Sequence, residues 1–268
     1  MASIAEFATC IRRHTLHMVH HANASHIGTC LSMADILAVL YQDVLRYRVE
    51  DPVWTERDRL ILSKGHGAAA LYATLALSGF FPLVWLATYN DDGSPLTGHV
   101  SHHVPGVELS TGSLGHGLPV GCGIALAGKR DGRDYRTFVV LSDGELDEGS
   151  VWEALLFAPQ HSLDKLVAII DHNKIQSFGA VEDVLNLAPL VDKLRAFRWK
   201  VIEVDGHDHD ALRAALTRLP RPDGKPTAII AHTVKGKGVS FMEHQLAWHY
   251  KSPNDEQLAA ALAELNES

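Results

Sequence analysis

Cysteine and long apolar runs are both scarce in this chain of 268 residues. The three cysteines, Cys10, Cys30 and Cys122, stand far apart and form no Cys-x-x-Cys pair. This spacing argues against a disulfide framework and against a thiolate zinc site, so we expect small buried residues. No apolar run approaches the ~20 residues that cross a bilayer, and the start MASIAEFATCIRRH lacks the apolar core of a signal peptide. We therefore expect a cytoplasmic protein without a membrane span.

Positive charge is also in short supply. Lys and Arg number 24 against 32 Asp and Glu, which gives a net charge of −8. Because nucleic-acid binding relies on clustered Lys and Arg, a nucleic-acid partner is not expected. Histidine is abundant, at 17, and imidazole is the usual proton-moving group of catalytic sites, although most histidines serve no such role. The length and the 46% apolar content fit one large globular domain over residues 1–268.

A strand, a helix and a second strand occupy the middle of the chain, between Thr137 and Ile175. This segment, TFVVLSDGELDEGSVWEALLFAPQHSLDKLVAIIDHNKI, has one apolar strand that ends at Asp143-Gly144 and another that ends in the letters DHN. The carboxyl ends of parallel strands meet at one edge of the sheet, where open α/β sheets bind ligands. We therefore predict that Asp143 and Asn173 are neighbours in the fold.

Asp143 and Asn173 offer a carboxylate and a carboxamide oxygen. Such oxygens suit a hard cation that shares its coordination shell with phosphate oxygens and water. Gly144 lets the backbone approach those phosphates closely. A plainer alternative stays open for each residue, since Asp143 could cap the next helix and Asn173 could only shape a turn.

Together these residues resemble the thiamine diphosphate signature, which begins Gly-Asp-Gly and ends on Asn at the tip of the next strand. More narrowly, SDGELDEGSVWEA followed by DHNKI is similar to the transketolase version of that signature. Ser142 takes the place of the family's usual first Gly. This departure leaves the ligand Asp and the second Gly intact.

A second match lies near the start, after a predicted helix from Ile4 to about His21. The predicted loop ASHIGTCLS carries His26-x-Gly28, which resembles the transketolase loop that reaches the substrate. The same loop could be only a connector. We predict that Ser32 and Asp35 form a capping box for the helical run that follows.

A third match, LSKGHGAAALYA, follows a short predicted strand and opens a helix. The free N–H groups and the dipole of a helix N-terminus favour an anion, and Lys64 and His66 add donors for a phosphate. The resemblance implies that these residues bind the cofactor diphosphate. A helix start with a solvated Lys would explain the segment without the resemblance.

The stretch 91–117 has little periodicity and many Gly, Pro and His. A loop of this length inside a compact domain is usually functional or disordered. His99, His102 and His103 suggest a metal cluster, but no nearby acidic or Cys residue completes a zinc site.

The resemblance gives this stretch a different role. It places His99 toward the substrate and Gly112 to Leu114 along the cofactor. His116 stands where transketolases commonly have Gln, so the resemblance assigns it no role.

The last match is TVKGKGVSFMEHQLAWHYKSP, a basic loop before a final predicted helix. In the transketolase pattern Lys235 faces the cofactor phosphates and His249 faces the reacting carbons. Both side chains could instead simply be exposed.

Strands also recur at 200–204 and 227–232, with helices between them. This alternation predicts an α/β fold, a doubly wound parallel sheet with helices on both faces. The resemblance identifies it as the diphosphate-binding domain of the thiamine diphosphate-binding fold.

The resemblance implies a role for each matched residue. The metal, Mg²⁺ or else Ca²⁺ or Mn²⁺, would be bound by Asp143, Asn173 and the backbone carbonyl of Ile175. Thiamine diphosphate would be held by Lys64, His66, Gly112, Leu114, Gly144, Asn173 and Lys235. Substrate binding and proton transfer would fall to His26, His99 and His249. Glu148 matches an acid at the family's subunit contact that couples two sites, although a helix-start carboxylate explains it almost as well.

Full-length transketolases continue into a pyrimidine-binding domain and a third domain, and neither follows here. The resemblance therefore implies the amino-terminal subunit of a split transketolase, paired with a pyrimidine-binding chain as α2β2. The implied reaction moves a two-carbon ketol unit from a ketose or ketose phosphate to an aldose or aldose phosphate.

Two alternatives stay open. A non-catalytic thiamine diphosphate-binding or regulatory module would need no partner. A nucleotide-binding Rossmann oxidoreductase would explain the fold, but no strand leads into Gly-x-Gly-x-x-Gly.

Overall fold

Five parallel strands form one sheet in the computed structural model, which describes residues 3–219 and 223–267. The strands are β1 (Arg59–Leu62), β2 (Thr137–Ser142), β3 (Leu166–His172), β4 (Lys200–Asp205) and β5 (Thr227–His232). Their order across the sheet is β1-β2-β3-β5-β4, and every adjacent pair is parallel. The predicted parallel α/β sheet is confirmed.

Helices precede, connect and follow the strands. They are α1 (Ile4–His21), α2 (Ile27–Ser32), α3 (Ala34–Val39), α4 (Ala68–Leu77), α5 (Gly117–Arg130), α6 (Gly149–Gln160), α7 (Val181–Val184), α8 (Leu190–Ala196), α9 (His209–Thr217) and α10 (Asp255–Glu267). A π-helical turn extends α3, and short 3₁₀ turns occupy Gly65–Gly67, Leu83–Thr88, Gly144–Asp147 and Leu246–His249. Within residues 3–219 and 223–267 no helix has the length and apolarity that a membrane span requires.

The central strands are buried on both faces. In β2, Phe138 and Val140 pack into one apolar core together with residues of α1, α3 and α4. The alternate residues Val139 and Leu141 pack into a second core with residues of α5, α6 and α8. A strand covered on both sides reads as a continuous apolar run rather than an alternating one. The predicted arrangement of helices on both faces is confirmed.

The region after α1 differs from the prediction. Residues 27–32 form helix α2 instead of a loop, and the capping box of Ser32 and Asp35 does not form. The Ser32 hydroxyl donates to the Asp171 carboxylate at 2.6 Å, while Asp35 pairs with Arg12. Both side chains are buried, so tertiary partners replace the local cap.

Candidate active site

The carboxyl ends of β2 and β3 lie side by side, as the sequence predicts. The register pairs Ser142 with Asp171, which brings the residues that follow them together. The Asp143 carboxylate accepts a hydrogen bond from the Lys174 N–H at 2.6 Å. Asn173, next to Lys174, is buried with Asp143 at this edge of the sheet. The predicted proximity of Asp143 and Asn173 is thus confirmed.

These strand ends form the floor of a cleft of about 240 Å³. Most of the predicted site residues line it: His26, His66, His99, Gly112, Leu114, Asp143, Gly144, Asn173, Ile175, Lys235 and His249. They come from separate segments of the chain that the sheet edge brings together. Their individual roles stay predictions.

Lys235 lines the cleft, and its side chain is almost fully buried. Its ammonium donates to the Ile175 carbonyl at 2.9 Å and to Nδ1 of His249 at 2.9 Å. Because an ammonium has no acceptor, Nδ1 of His249 accepts and the ring proton lies on Nε2. Burial, with repulsion from Lys64, lowers the pKa of Lys235 to about 8.

Four imidazoles gather above the strand ends. The ring centre of His26 lies 5.1 Å from those of His66 and His249 and 5.8 Å from that of His99. His26 has a left-handed backbone (φ 75°), and its N–H donates to the His249 carbonyl at 2.8 Å. This bond fixes the segment before α2 onto the segment that carries His249.

The cluster favours neutral imidazoles. Burial, with the charges of His99 and Lys235, lowers the pKa of His26 to about 4. Burial and Lys235 lower the pKa of His249 to about 3, and burial also lowers the pKa of His66 well below its usual value. A neutral imidazole has both a donor and an acceptor nitrogen, which proton transfer requires.

The long stretch 91–117 is fixed to the end of β1. The Thr111 carbonyl approaches Gly65 so closely that a Cβ on Gly65 would lie 2.2 Å from its oxygen. The Tyr72 hydroxyl donates to the His99 carbonyl at 2.9 Å. Gly65 therefore allows the close backbone contact, and Tyr72 holds His99 at the rim of the cleft.

Lys64 has a different environment from the other predicted cofactor-binding residues. Its side chain is fully buried, its ammonium forms an ion pair with Asp171, and it is not among the residues that line the cleft. The predicted contact of Lys64 with the diphosphate stays a prediction, since the structure shows only that Lys64 pairs with Asp171. A buried ammonium needs a carboxylate partner, and Asp171 supplies one that a local sequence pattern cannot show.

Glu148 and three histidines lie outside the cleft. Glu148 is exposed at the start of α6 and makes no capping hydrogen bond, so its proposed subunit contact stays a prediction. His102, His103 and His116 are exposed. In the described parts of the chain, no group of three or more His, Cys, Asp or Glu residues could hold a metal ion.

The residues at the strand ends nevertheless fit a hard cation that other oxygens also coordinate. Asp143 is 1% exposed, and burial together with the nearby Asp171 raises its pKa to about 6. A bound cation would offset the unfavourable burial of the negative charge on Asp143. The Ile175 carbonyl accepts from the Lys235 ammonium, so a cation bound there would share this oxygen with Lys235. With Asn173 these residues supply carboxylate, carboxamide and carbonyl oxygens, the donor types that Mg²⁺ and Ca²⁺ use.

Four polar residues of the cleft are not among the predicted site residues. Thr29, Ser142, Gln176 and Ser177 also line the cleft. Each is a polar residue within three positions of a predicted one. Their position next to predicted site residues is the sequence feature that could have identified them, since a ligand that contacts one residue of a loop often contacts its neighbours.

The lowered pKa of His26 predicts an acid-sensitive fold. Between about pH 6.5 and 4 the unfolded chain takes up a proton at this position and the folded chain does not, so stability falls as pH falls. His26→Asn keeps a residue type that tolerates the left-handed backbone. Urea unfolding of the isolated chain should show about 1–2 kcal/mol less acid destabilisation in this variant, after allowance for partial exposure. Equal flattening in the exposed control His116→Asn would contradict the assignment.

A parallel α/β sheet with buried polar side chains and a histidine cluster at its carboxyl edge is the arrangement in which open α/β proteins bind ligands. The transketolase thiamine diphosphate-binding domain matches residues 4–265. One of the subunits of the apulose-4-phosphate transketolase of Phocaeicola vulgatus is 43% identical over 96% of this chain and 91% of its own length. The 6-deoxy-6-sulfo-D-fructose transketolase subunit SqwG of a Clostridium species is 43% identical over 96% of this chain and 94% of its own.

Solved transketolases have the same fold. The Leishmania mexicana enzyme superposes with a TM-score of 0.93 at 35% identity, covering 99% of this chain and 42% of that enzyme. The Campylobacter jejuni enzyme gives 0.93 at 31% identity over 99% of this chain and 43% of its own. The chain thus spans less than half the length of these solved relatives. It belongs to the transketolase family through the thiamine diphosphate-binding domain, which confirms the resemblance found in the sequence.

Proposed function

We propose that this chain is the thiamine diphosphate-binding subunit of a two-chain transketolase. The complex transfers a two-carbon ketol unit from a ketose or ketose phosphate to an aldose or aldose phosphate. The observation that carries this proposal is the single cleft that joins the oxygen donors of Asp143 and Asn173 to the four clustered imidazoles. A parallel sheet commonly places a ligand at this edge.

The floor of the cleft would hold the cofactor's diphosphate and its metal, Mg²⁺. Asp143, Asn173 and the Ile175 carbonyl are the proposed metal ligands, while Lys235 supplies positive charge beside them. Gly144 has no side chain, and a Cβ there would lie 3.1 Å from Cγ of Gln176. Thiamine diphosphate, when bound, supplies the electron sink that ketol transfer requires.

The histidines would act on the sugar. His26, His99 and His249 lie at the cleft and are proposed to bind substrate hydroxyls and to move protons. His249 has its proton on Nε2 because Lys235 occupies Nδ1. His66 is proposed to contact the cofactor instead, as it lies next to the end of β1.

A second chain is proposed to complete the site. Typical small-molecule pockets measure about 300–1,000 Å³, and this cleft is smaller, at about 240 Å³. Two relatives are named as transketolase subunits, and this chain covers more than nine-tenths of the length of each. The subunit names support a partner chain, and we propose that it carries the pyrimidine-binding and C-terminal domains and that the complex has two copies of each chain. Cytoplasmic location stays a prediction from the sequence.

Reconstitution tests the proposed function. The purified chain, a candidate pyrimidine-binding partner and their mixture would be assayed for ketol transfer with thiamine diphosphate and Mg²⁺. We expect turnover only from the mixture, its loss on chelation, and an α2β2 mass by light scattering. Turnover by this chain alone would refute the need for a partner. A mixture that binds the cofactor but never turns over any ketose would indicate a non-catalytic binding module.

A further inference from the structure

The segment that carries Lys235 is held on both sides by side chains from outside the cleft. On one side, the Val234 N–H donates to Nε2 of His207 at 2.9 Å. On the other, the Lys237 carbonyl accepts from Nε of Arg12 at 3.1 Å. Lys235 thus lies between two backbone groups that are each fixed by a distant part of the chain.

Asp35 joins the two holding side chains. Its carboxylate accepts from Arg12 Nη1 at 3.3 Å and from Nδ1 of His207 at 2.7 Å. His209 donates to the same carboxylate from Nε2, at 2.8 Å, and this bond does not involve the Lys235 segment. Burial opposes ionisation of Asp35, but hydrogen bonds from His207 and His209 and the charge of Arg12 hold its pKa far below the usual range. Asp35 is therefore a buried, ionised hub.

The hydrogen bonds also fix which nitrogen of His207 carries the proton. A backbone N–H can only donate, so Nε2 accepts from Val234 and Nδ1 carries the proton toward Asp35. A carboxylate that takes one ring N–H sets both the tautomer and the orientation of an imidazole. Asp35 thereby presents the correct nitrogen of His207 to Val234.

The side chain of Lys235 lies in a narrow space, so its position depends on the position of its own backbone. Gly28 lies so close that a Cβ there would be 3.1 Å from Cγ of Lys235. The Gly236 N–H donates to the Gly28 carbonyl at 2.9 Å, with Gly236 in a positive-φ conformation. A small shift of this backbone would move the ammonium away from Ile175 and His249.

We propose that Asp35, Arg12 and His207 form a positioning triad that holds the backbone on both sides of Lys235 and thereby sets its ammonium in the cofactor site. The triad acts through Lys235 and does not itself touch the cleft. This inference rests on the proposed function in one respect, namely that Lys235 faces the cofactor diphosphate.

Two substitutions of His207 separate the two hydrogen bonds. The carboxamide of Asn reaches about as far as Nδ1, so His207→Asn keeps the donor to Asp35 and loses the acceptor for Val234. The carboxamide of Gln reaches about as far as Nε2, so His207→Gln keeps the acceptor for Val234. His209→Ala is the matched control, because it removes a neighbour of the same carboxylate without touching the Lys235 segment.

Calorimetry on the assembled complex would measure thiamine diphosphate affinity in Mg²⁺. We expect His207→Asn to bind about three- to tenfold more weakly, the equivalent of one lost hydrogen bond, with His207→Gln restoring most of the affinity. His209→Ala should keep wild-type affinity. Hydrogen exchange of the Val234 amide in the full chain should be faster in His207→Asn than in His207→Gln.

The outcomes distinguish the two proposals. Wild-type affinity in His207→Asn, or an equal loss in all three variants, would overturn the triad as a positioning device. If the wild-type complex binds no thiamine diphosphate, the proposed function fails. The exchange of the Val234 amide then still decides the triad, since equal rates in the Asn and Gln variants would overturn it.

Discussion

Asp143→Asn should weaken the binding of thiamine diphosphate to the assembled complex in Mg²⁺ by about a hundredfold or more. Loss of a supporting group of a metal site costs about 10–100-fold, and Asp143 is proposed as a direct ligand. Without a metal the same change should cost little stability at neutral pH, because Asn lacks the buried charge whose burial raises the pKa of Asp143 to about 6. Affinity and stability should therefore respond in different ways.

Titration calorimetry with and without Mg²⁺, and thermal unfolding of the metal-free chain, would measure the two effects. Asp164→Asn is the matched control, since Asp164 lies just before β3 at the opposite end of that strand. Asn173→Ala should also lose Mg²⁺-dependent affinity. Unchanged affinity and unchanged Mg²⁺ dependence in Asp143→Asn would show that the ligand assignment is wrong.

The parts of the site that the sequence predicts best depend on sheet topology. Asp143 and Asn173 each follow a long apolar strand, and a parallel pair with a helical crossover brings such ends together. No side-chain detail is needed for that inference. The predicted strands at 200–204 and 227–232 agree with β4 and β5 to within one residue.

The parts that the sequence misses depend on partners far along the chain. Ser32 and Asp35 have the spacing of a helix cap, but both are buried, and Asp35 pairs with His207, 172 positions away. Lys64 stands at a helix start beside His66, yet it turns inward to Asp171. A local sequence pattern identifies a residue type that suits a role. It does not show which of two available partners the buried side chain contacts in the fold.

The convergence of His26 and His249 shows the same limit. The family resemblance placed both residues in one site, while the contact between them depends on a backbone hydrogen bond and on the left-handed conformation of His26. Neither feature has a signature in the residues around it, since an αL residue is more often Gly or Asn. The resemblance to a family therefore carried information that spacing did not.

His249→Asn should lower kcat of the assembled enzyme by about a hundredfold or more while leaving cofactor affinity nearly unchanged. The Asn carboxamide oxygen can still accept from the Lys235 ammonium, as Nδ1 does at 2.9 Å, but no group replaces the proton on Nε2. His249→Ala removes both functions, so it should also weaken cofactor binding by releasing Lys235. His26→Asn should likewise slow turnover with little effect on cofactor affinity.

Steady-state kinetics at saturating cofactor, with cofactor affinity from calorimetry, would separate these effects. The control is His116→Asn, an exposed histidine outside the cleft, which should keep wild-type kcat. The Asn variant of His249 keeps an acceptor for Lys235 and the Ala variant does not, so their comparison separates the contact with Lys235 from proton transfer at Nε2. If His249→Asn keeps full turnover, Nε2 of His249 transfers no proton in the rate-limiting step. If it loses cofactor binding as severely as His249→Ala, the ring serves to fix Lys235 and the catalytic assignment fails.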